Sequence, residues 1–362
     1  MKKLILVGAG HAHVVALRVM AGRVPPGLEI VLVTPSRYHY YSGMLPGCLV
    51  GNYTKEQCRI DLQWLLTAAR IVMVTARVVA MDADACCIRI DTGETLTYDW
   101  LSLDMGSETP VAALEPVGQR LFPIKPIEQF FHLWPGVLTR AQQATSFSLA
   151  VVGAGAAGVE IAFAAATALR RVCPDVRVRL LRAKTGLLPG HARAAQDKIY
   201  RLLKAHHIDV LEFSGDAAGM HDDCVIAATG AKAPALLQSS GLGLDVAGYA
   251  LVDSAHRSRT HDNVFAAGDV CARDDVTMAR SGVQAVRSGS VLGGNLIAVV
   301  NGTPLKPYMP KTASLYLLAY APRRAMASWG RWSSAGWLMW LLKDFIDRRF
   351  VGKHTRVISR MK

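Results

Sequence analysis

The chain has 362 residues, of which 51% are hydrophobic and 19% charged, so it can build the cores of two or three ordinary domains and is not a disordered chain. Its seven cysteines show no CxxC spacing, which argues against a zinc site and a disulfide framework and favours a reducing, cytoplasmic setting. No stretch reaches the ~18 consecutive apolar residues of a membrane span. A buried strand begins at Leu4, so we also expect no signal peptide.

The net charge of +13 is unevenly placed along the chain. Residues 301–362 contain 12 Lys and Arg and 2 Asp, so this segment carries 10 of the 13 net positive charges. A basic excess confined to a tail indicates that the tail meets an anionic surface, which is either a membrane or a nucleic acid.

The first element is a short apolar run that ends in a glycine-rich turn and then opens a helical pattern. The turn reads Gly8-Ala9-Gly10-His11-Ala12-His13, and about 145 residues later the arrangement recurs as Gly153-Ala154-Gly155-Ala156-Ala157-Gly158. Glycines in this setting let backbone N–H groups approach a pyrophosphate, and the helix that follows points its positive end at the same charge. Two copies therefore predict two bound dinucleotides, and two dinucleotides in one chain suggest electron transfer between them.

The hydrophobic pattern indicates further elements in chain order. Buried strands are predicted at Leu28–Val33 and Val176–Leu181, strands at Val78–Asp82 and Ala85–Ile90, and a hairpin turn at Asp91–Glu94. A proline-rich crossover is predicted over 116–136, helices over about 192–206 and 282–300, and strands that end at glycine in Cys224–Gly230 and Val264–Asp269.

This order predicts an α/β fold with two Rossmann-like (three-layer ββα) dinucleotide-binding domains, the second inserted into the first. The predicted boundaries are 1–115 and 248–300 for the two parts of the first domain, 116–247 for the inserted domain, with a core from about 147, and 301–362 for a small C-terminal region.

Five ordered elements resemble the pyridine nucleotide–disulfide oxidoreductase superfamily: the two glycine-rich loops, Tyr98–Ser107, Cys224–Gly230 and Phe265–Asp269. The resemblance covers essentially the whole chain, and it implies that FAD occupies the first loop and NAD(P)H the second. The residues it implies for FAD are Gly8, Ala9, Gly10, His11, Ala12, His13, Thr34, Pro35, Ser42, Gly43, Met44, Leu45, Val78, Met105, Gly106, Gly268, Asp269, Gln284 and Ala285. Those it implies for NAD(P)H are Gly153, Gly155, Ala156, Gly158, Glu160, Arg182, Lys184, Thr229 and Gly230.

The C-terminal part is similar to type II NADH dehydrogenases, first at Tyr308–Leu315 and then through Arg324–Ala327 and Ser334–Leu342. In that family the Trp/Leu-rich helix lies on the membrane. Here a basic amphipathic helix is predicted, and residues 336–362 either bind a membrane surface or dock on the protein's own sheet. Its apolar residues at helical spacing are Trp337, Leu338, Leu341, Leu342, Phe345 and Ile346, and its cations are Lys343, Arg348, Arg349 and Lys353.

A closer likeness is to the flavoprotein module fused ahead of selenide, water dikinase, and to its stand-alone relatives. It is carried by Gly8–His13, Thr34–Arg37, Tyr41–Gly47 and Trp340–Phe350. The substrate of that group is not settled by the resemblance, so this family narrows the fold more than the function.

Several positions depart from the family patterns. The acid that binds the adenosine ribose is replaced by Thr34, and His13 replaces the third glycine, where it either donates to a phosphate or fills the gap between helix and strand. The corresponding position of the second loop is Arg182, with Lys184 nearby, and a cation there accommodates the 2′-phosphate of NADP, so NADH and NADPH both remain open.

The redox cysteine pair of the disulfide reductases is also missing. Ser42 stands where single-cysteine members have their cysteine, and Cys48, in an apolar segment, is interpreted as a packing residue. The quinone motif of type II NADH dehydrogenases falls on Gly282-Val283 and Arg287. Gln284 lies one residue away, which rotates it by about 100° around the helix.

By resemblance, Glu160 reaches toward the flavin and nicotinamide and Lys311 lies beside the flavin, and these two are the candidate catalytic residues. Lys125 is a further candidate charge near the flavin ring. The predicted function is an FAD-dependent NAD(P)H:acceptor oxidoreductase, cytoplasmic or peripheral on the inner face of the membrane, with a quinone-like or small-molecule acceptor. The alternatives are a soluble flavoprotein reductase linked to selenium or sulfur metabolism and a non-catalytic nucleotide-sensing module. No metal or nucleic acid is expected, and monomer and homodimer both stay open.

Overall fold

The computed structural model describes residues 1–311 and 313–355. In chain order its strands are β1 (Lys2–Val7), β2 (Leu28–Thr34), β3 (Tyr38–Tyr40), β4 (Arg59–Asp61), β5 (Val72–Thr75), β6 (Val78–Asp82), β7 (Cys87–Ile90), β8 (Thr95–Thr97), β9 (Trp100–Leu103), β10 (Leu121–Pro123), β11 (Ser146–Val152), β12 (Asp175–Arg182), β13 (Ile208–Glu212), β14 (Cys224–Ala227), β15 (Ala250–Val252), β16 (Val264–Ala266), β17 (Cys271–Arg273), β18 (Tyr316–Ala321), β19 (Arg324–Trp329) and β20 (Trp332–Gly336). Its helices are α1 (His11–Met20), α2 (Leu45–Leu49), α3 (Leu62–Ala69), α4 (Ile127–Gln143), α5 (Ala156–Leu169), α6 (Arg193–Ala205), α7 (Gly282–Val300) and α8 (Trp337–Thr355).

Strand β1 is the centre of a five-stranded parallel sheet in the order β16–β9–β1–β2–β5. Leu4, Ile5 and Leu6 are fully buried, as expected for a parallel strand that is covered on both faces. The carboxyl ends of the five strands meet at one edge of the sheet, and the first glycine-rich loop leaves β1 at that edge.

The second glycine-rich loop leaves the centre of an equivalent parallel sheet, in the order β10–β14–β11–β12–β13. Here β11 takes the place of β1, β12 that of β2, and β14 that of β9. All five strands lie between β9 and β16 in the chain, so the second sheet is inserted into the first. The predicted α/β class with two Rossmann-like domains is confirmed, while the residue boundaries of the domains stay predictions.

A third layer covers the first sheet. Strands β6, β7 and β8 form an antiparallel sheet, and their residues Met81, Ile88 and Ile90 pack in one cluster with Ile5 and Val33 of the parallel sheet. Helices α1 and α7 pack on the opposite face, in the cluster that contains Leu4 and Leu6. The predicted hairpin is therefore the outer layer of a ββα sandwich.

Helix α7 packs closely on α1 because two of its residues have no side chain. A Cβ on Gly289 would lie 2.5 Å from Ala12 O, and one on Gly293 would lie 2.8 Å from Ala16 Cα. Among the described residues α7 is the one helix long and apolar enough to cross a membrane by length and composition. It packs with one face on α1 of the first domain and is 44% buried, as an amphipathic helix of a globular domain is.

The C-terminal region is an antiparallel sheet, β18–β19–β20, followed directly by α8. This sheet was not among the predicted elements, although the six-residue strand Arg324–Trp329 and the turn at Gly330 are compatible with a hairpin. Helix α8 packs against β19 and β20 and against β4 and α3 of the first domain. Residues 356–362 of the predicted membrane segment lie outside the described residues.

Two segments differ from the predictions. The proline-rich crossover contains β10, which pairs with β14, and the 17-residue helix α4 with Pro135 inside it. Proline is compatible with β10 because this strand lies at the edge of its sheet. The strand predicted from Ala85 begins at Cys87, since Ala83 to Cys86 form the turn that leads into it.

Candidate functional site

The first glycine-rich loop is held by hydrogen bonds to both neighbouring strands. Gly8 N donates to Val33 O at 2.8 Å, and Gly10 N donates to Asp104 O at 2.9 Å. Gly8 has a φ of 82°, a left-handed conformation that favours glycine. The N-cap residue of α1 is Gly10, which has no side chain to satisfy the first N–H groups of the helix.

Asp104 supplies the cap that Gly10 lacks. It follows β9, and its Oδ2 accepts the N–H of His13 at 2.7 Å, while the N–H of Ala12 also contributes. A Cβ on Gly10 would overlap this carboxylate, and one on Gly268 would lie 2.6 Å from Asp104 Oδ1. Burial raises the pKa of Asp104 to about 7, and the nearby Asp269 adds to the shift against the hydrogen bond from His13.

The side chain of His13 occupies the gap that the missing third glycine would leave. Its Nδ1 is 2.6 Å from Gly8 O and its Nε2 is 2.8 Å from Ser102 Oγ, so both ring nitrogens contact the protein. Burial lowers the pKa of His13 to about 4, which keeps the ring neutral. This placement favours the gap-filling interpretation over donation to a phosphate.

Strand β2 ends in Thr34 where the family has an acid, but a different acid, Glu128, lies nearby. Thr34, at the end of β2, faces Thr75 at the end of β5, and its hydroxyl is 3.4 Å from Ser36 O. Ser36 Oγ in turn donates to Glu128 at 3.2 Å, so the first turn of α4 brings a carboxylate to this edge. No local motif in the sequence indicated Glu128, because the contact joins residues 92 positions apart.

Polar groups also converge where the flavin side of the cofactor is expected. Lys125 Nζ lies 3.0 Å from Asp269 Oδ2 and 2.9 Å from Ser107 Oγ. His11 Nε2 and His39 Nε2 are buried without a hydrogen-bond partner among the described residues. Such orphaned atoms, together with the acid at Asp269, fit an elongated polar cofactor such as FAD.

The other residues implied for FAD lie on the elements and loops of the first domain. Met105 and Gly106 follow Asp104, Val78 begins the strand after β5, and Gln284 and Ala285 lie in the first turn of α7. Gln284 Oε1 accepts the hydroxyl of Tyr308 at 2.6 Å. The remaining residues, Ala9, Pro35, Ser42, Gly43, Met44 and Leu45, lie in the loops and the short helical segment beside β1 and β3.

The second loop has the same backbone plan without the capping side chain. Gly153 N donates to Leu181 O at 2.8 Å, and Gly153 has a φ of 113°. A Cβ on Gly158 would overlap Gly153 O, so the third glycine is required here. Ala228 takes the position of Asp104, and α5 begins after Gly155 with no side-chain cap. Ala156, Thr229 and Gly230 lie at the same edge of the sheet.

Arg182, at the end of β12, forms an ion pair across the sheet. Its NH1 is 3.1 Å from Glu212 Oε2, and the two residues are direct partners in the β12–β13 register. Lys184, two residues on, is exposed. The predicted cation for a 2′-phosphate is therefore present, but it is opposed by an acid that the sequence analysis did not single out.

A buried charge cluster joins the two domains to α8. Lys343 Nζ lies 3.0 Å from Asp347 Oδ2 and 3.9 Å from Glu160 Oε1, and it donates to Gly43 O at 2.8 Å. Glu160 Oε1 also accepts the N–H of Ala319 at 2.8 Å. Burial raises the pKa of Glu160 to about 7 and raises that of Asp347, in each case against the lowering effect of Lys343.

Lys343 corrects the prediction of a surface cation. Its side chain is buried, and although burial lowers its pKa, the charges of Glu160 and Asp347 outweigh that effect and raise it. Lys311, the predicted catalytic lysine, is exposed, and the residue that contacts Glu160 is Lys343. A lysine in an apolar helix gave no local signal for this role.

Cys48 is not isolated either. Its thiol forms a hydrogen bond with Cys58, which lowers the pKa of Cys48 and raises that of Cys58. Both cysteines are free thiols, and Cys58 is fully buried. The contact joins α2 to the segment before β4 and is consistent with packing.

Comparisons with known proteins agree with this geometry. The family model described as pyridine nucleotide-disulphide oxidoreductase matches residues 2–289. An NADH dehydrogenase-like protein of Mycobacterium tuberculosis is 29% identical over 173 residues, which cover 45% of this chain and 42% of that protein. The alternative NAD(P)H-ubiquinone oxidoreductase C1 of Arabidopsis thaliana is 24% identical over 332 residues, covering 77% of this chain and 63% of that protein.

Among solved structures, NDH2 from Plasmodium falciparum in complex with NADH superposes with a TM-score of 0.79 at 13% identity, covering 99% of this chain and 98% of that one. This likeness supports the fold alone. Of the two relatives found by sequence, the chain spans 42% of the length of the Mycobacterium protein and 63% of that of the Arabidopsis protein.

Proposed function

Because the chain belongs to the pyridine nucleotide-disulphide oxidoreductase family, whose cofactors are FAD and NAD(P)H, we propose that it is an NAD(P)H:acceptor oxidoreductase with a quinone-like acceptor. FAD, when bound, supplies the centre that takes a hydride from the nicotinamide and passes its electrons on. Gly8 to Ala12 and Asp269 would hold the FAD, and Gly153 to Gly158 with Arg182 would hold NAD(P)H.

The observation that carries the quinone-like acceptor is the reversed polarity of α8. Lys343 and Asp347 are 7% and 4% exposed, whereas Leu338 and Phe345 are 65% and 61% exposed. Apolar side chains in water and charges in the interior are the opposite of an ordinary surface helix. A helix of this kind suits an apolar medium on its outer side and a polar site on its inner side.

Exposed apolar side chains form the outer face of α8 and also occur on the sheet that precedes it. They are Trp329, Trp332, Trp337, Leu338, Leu341, Leu342, Phe345 and Ile346. The same segment carries exposed cations, among them Arg331, Arg348 and Arg349. Tryptophan and arginine beside an apolar surface suit the interface of an anionic membrane, so we place the protein on a membrane surface through this face.

A cleft beside the cluster gives the acceptor a place to bind. It is half open, occupies about 340 Å³ including its mouth, and has Lys343 as its charged residue; its apolar walls are Pro46, Val50, Phe163, Tyr320 and Trp340. Because the cleft opens to solvent on one side, an acceptor ring would lie in its mouth. The support for an acceptor comes from this cleft and not from α7, whose Gln284 already contacts Tyr308.

Reduction of a quinone by NAD(P)H consumes one proton from solution, because the nicotinamide delivers one hydrogen and the quinol carries two. We assign the donation of that proton to Lys343, which lines the cleft, and the replacement of the proton on Lys343 to the neighbouring Glu160 and Asp347. The name of the Arabidopsis relative gives ubiquinone as its acceptor, which supports the same assignment.

The test is anaerobic reduction of the purified holoenzyme by NADH or NADPH, followed by reoxidation with a water-soluble ubiquinone analogue. We expect bleaching of the flavin and then its return with the quinone. A flavin that bleaches but reoxidises only with small sulfur or selenium compounds would favour the soluble reductase, and a chain that is never reduced would favour a nucleotide-sensing role.

Lys343→Met sharpens this test. We expect reoxidation by the quinone to slow by about 100-fold while flavin reduction by NAD(P)H changes little, because the lost group serves the acceptor side. Lys353→Met removes an exposed lysine of the same helix and is the matched control. Equal reoxidation rates in the Lys343 variant and the wild type would remove Lys343 from the reaction.

The membrane contact is tested with substitutions on the outer face. Leu338→Ser with Phe345→Ser should abolish pelleting with anionic liposomes, because both side chains are exposed and neither touches the charge cluster. The rate of flavin reduction should be unchanged. Retained pelleting would contradict the assignment of this face.

A further inference from the structure

The buried carboxyl of Asp104 is used by none of the steps above. It lies at the N-terminus of α1 and accepts the N–H groups of Ala12 and His13. These N–H groups and the positive end of the helix are what a glycine-rich loop offers to a phosphate. An anion of the protein is therefore already present where an anion of the cofactor is expected.

The surroundings of Asp104 leave its charge little compensation. The charged side chain that acts on the pKa of Asp104 is Asp269, which raises it. Asp269 is itself paired with Lys125 at 3.0 Å. The ring of His13 is neutral, and burial raises the pKa of the Cys271 thiol to about 12, so neither contributes a positive charge. An ionised Asp104 is held chiefly by backbone N–H groups.

The room for this side chain is built into the loop. Gly8, Gly10 and Gly268 all approach Asp104 so closely that a Cβ on any of them would clash with its backbone or carboxyl oxygens. At the corresponding position of the second loop the residue is Ala228, which brings no charge. The acid is thus a particular property of the loop assigned to FAD.

We propose that FAD binding is coupled to protonation of Asp104, so that the chain takes up one proton as the pyrophosphate docks on the first glycine-rich loop. The inference rests on FAD occupying that loop. Two anions on one helix end repel each other in a site of low dielectric, and neutralising the carboxyl removes the repulsion. The proton comes from solvent and stays on a carboxyl oxygen of Asp104, and the other carboxyl oxygen still accepts a backbone N–H.

The direction of the pH effect follows from linkage. The pKa of Asp104 is about 7 without the cofactor, and the added anion raises it further. Below about pH 7 the carboxyl is protonated with or without FAD, so affinity is constant there. Above this pH, binding requires proton uptake, and FAD affinity falls by up to about tenfold for each pH unit.

The experiment is a calorimetric titration of the full-length chain, stripped of flavin, with FAD at about pH 8 in two buffers of different ionisation enthalpy. We expect uptake of close to one proton for each FAD bound by the wild type. Asp104→Asn keeps an oxygen that can accept the N–H of His13 but cannot titrate, and it should bind FAD with no proton uptake and with constant affinity between about pH 6 and 9.

Asp99→Asn is the matched control. Asp99 precedes the same strand and accepts the N–H of Lys3 at an exposed position, and its variant should retain the wild-type proton uptake. Affinity that is independent of pH in the wild type, or uptake that persists in Asp104→Asn, would overturn the proposal alone. No FAD binding at any pH would overturn it together with the proposed function.

The wild type decides the question even if the Asn variant fails to fold. A carboxyl whose pKa is raised in the folded state destabilises the flavin-free chain as pH rises from about 4 to 7, the range between its ordinary and its raised pKa. Because FAD affinity falls above about pH 7, the stabilisation that FAD gives to the folded chain falls with it. The rise in melting temperature at equal FAD concentration should therefore be larger at about pH 6 than at about pH 9.

Discussion

The two glycine-rich loops share a backbone plan but differ in what closes the start of the helix. In the first, Asp104 caps α1 and His13 joins the loop to β9; in the second, Ala228 and Gly158 occupy these positions and the helix end is left open. At the same edge of a parallel sheet, the start of the helix can thus be capped by side chains or left uncapped. The difference shows that a motif fixes where a phosphate approaches, while the flanking strand sets the charge that it meets.

Gly158→Ala is expected to have the largest effect on this comparison. A Cβ at this position would overlap Gly153 O, which is backbone and cannot move away without shifting the loop. We expect NAD(P)H affinity to fall by more than about 100-fold, measured by titration of the holoenzyme, with FAD content unchanged. Ala157→Gly, at the exposed neighbouring position, is the control and should cost at most about tenfold.

His13→Ala tests how the first glycine-rich loop is closed. The substitution removes contacts to Gly8 O and Ser102 Oγ and leaves a cavity between α1 and β9, so we expect a loss of about 3 kcal/mol in the free energy of unfolding. Urea denaturation of the holoenzyme measures it. A loss of FAD affinity without any loss of stability would instead favour the interpretation that His13 donates to a phosphate.

The strand ends beside the two loops differ in charge. Glu212→Gln tests whether that charge sets the preference between NADPH and NADH. Thr34 faces Thr75 at the first loop, whereas Arg182 faces Glu212 at the second. Removing the carboxylate frees Arg182 for a 2′-phosphate, so kcat/KM for NADPH should rise by about tenfold or less relative to NADH, since the pair is partly exposed. Asp209→Asn, on the same strand, is the control; an unchanged NADPH-to-NADH ratio would exclude Glu212 from cofactor choice.

The local part of this architecture could be predicted from sequence. Apolar runs such as Leu4 to Val7, followed by glycines and a helical pattern, determine a strand, a turn and a helix over neighbouring residues. The helix predicted at residues 282–300 matches α7, because its start is capped locally by Ser281.

The contacts that give the site its charges could not be predicted in this way. Asp104 reaches His13 from 91 residues away, and Lys343 reaches Gly43 across 300 residues. Lys343 also lies among apolar residues, so its sequence context indicated a surface cation of a membrane helix. Only the packing of α8 against the first domain and the C-terminal sheet reverses that interpretation.

The two faces of helix α8 differ in chemistry: its inner face is charged and its outer face is apolar. Residues one or two positions apart along the chain belong to opposite faces: Lys343 on the inner face contacts Glu160 and Gly43, while residues such as Leu342 and Phe345 on the outer face are exposed. The proposed membrane contact and the proposed proton transfer therefore depend on different residues of one helix. Deleting the whole helix would remove both faces at once. Only substitutions confined to one face can separate an effect on membrane binding from an effect on catalysis.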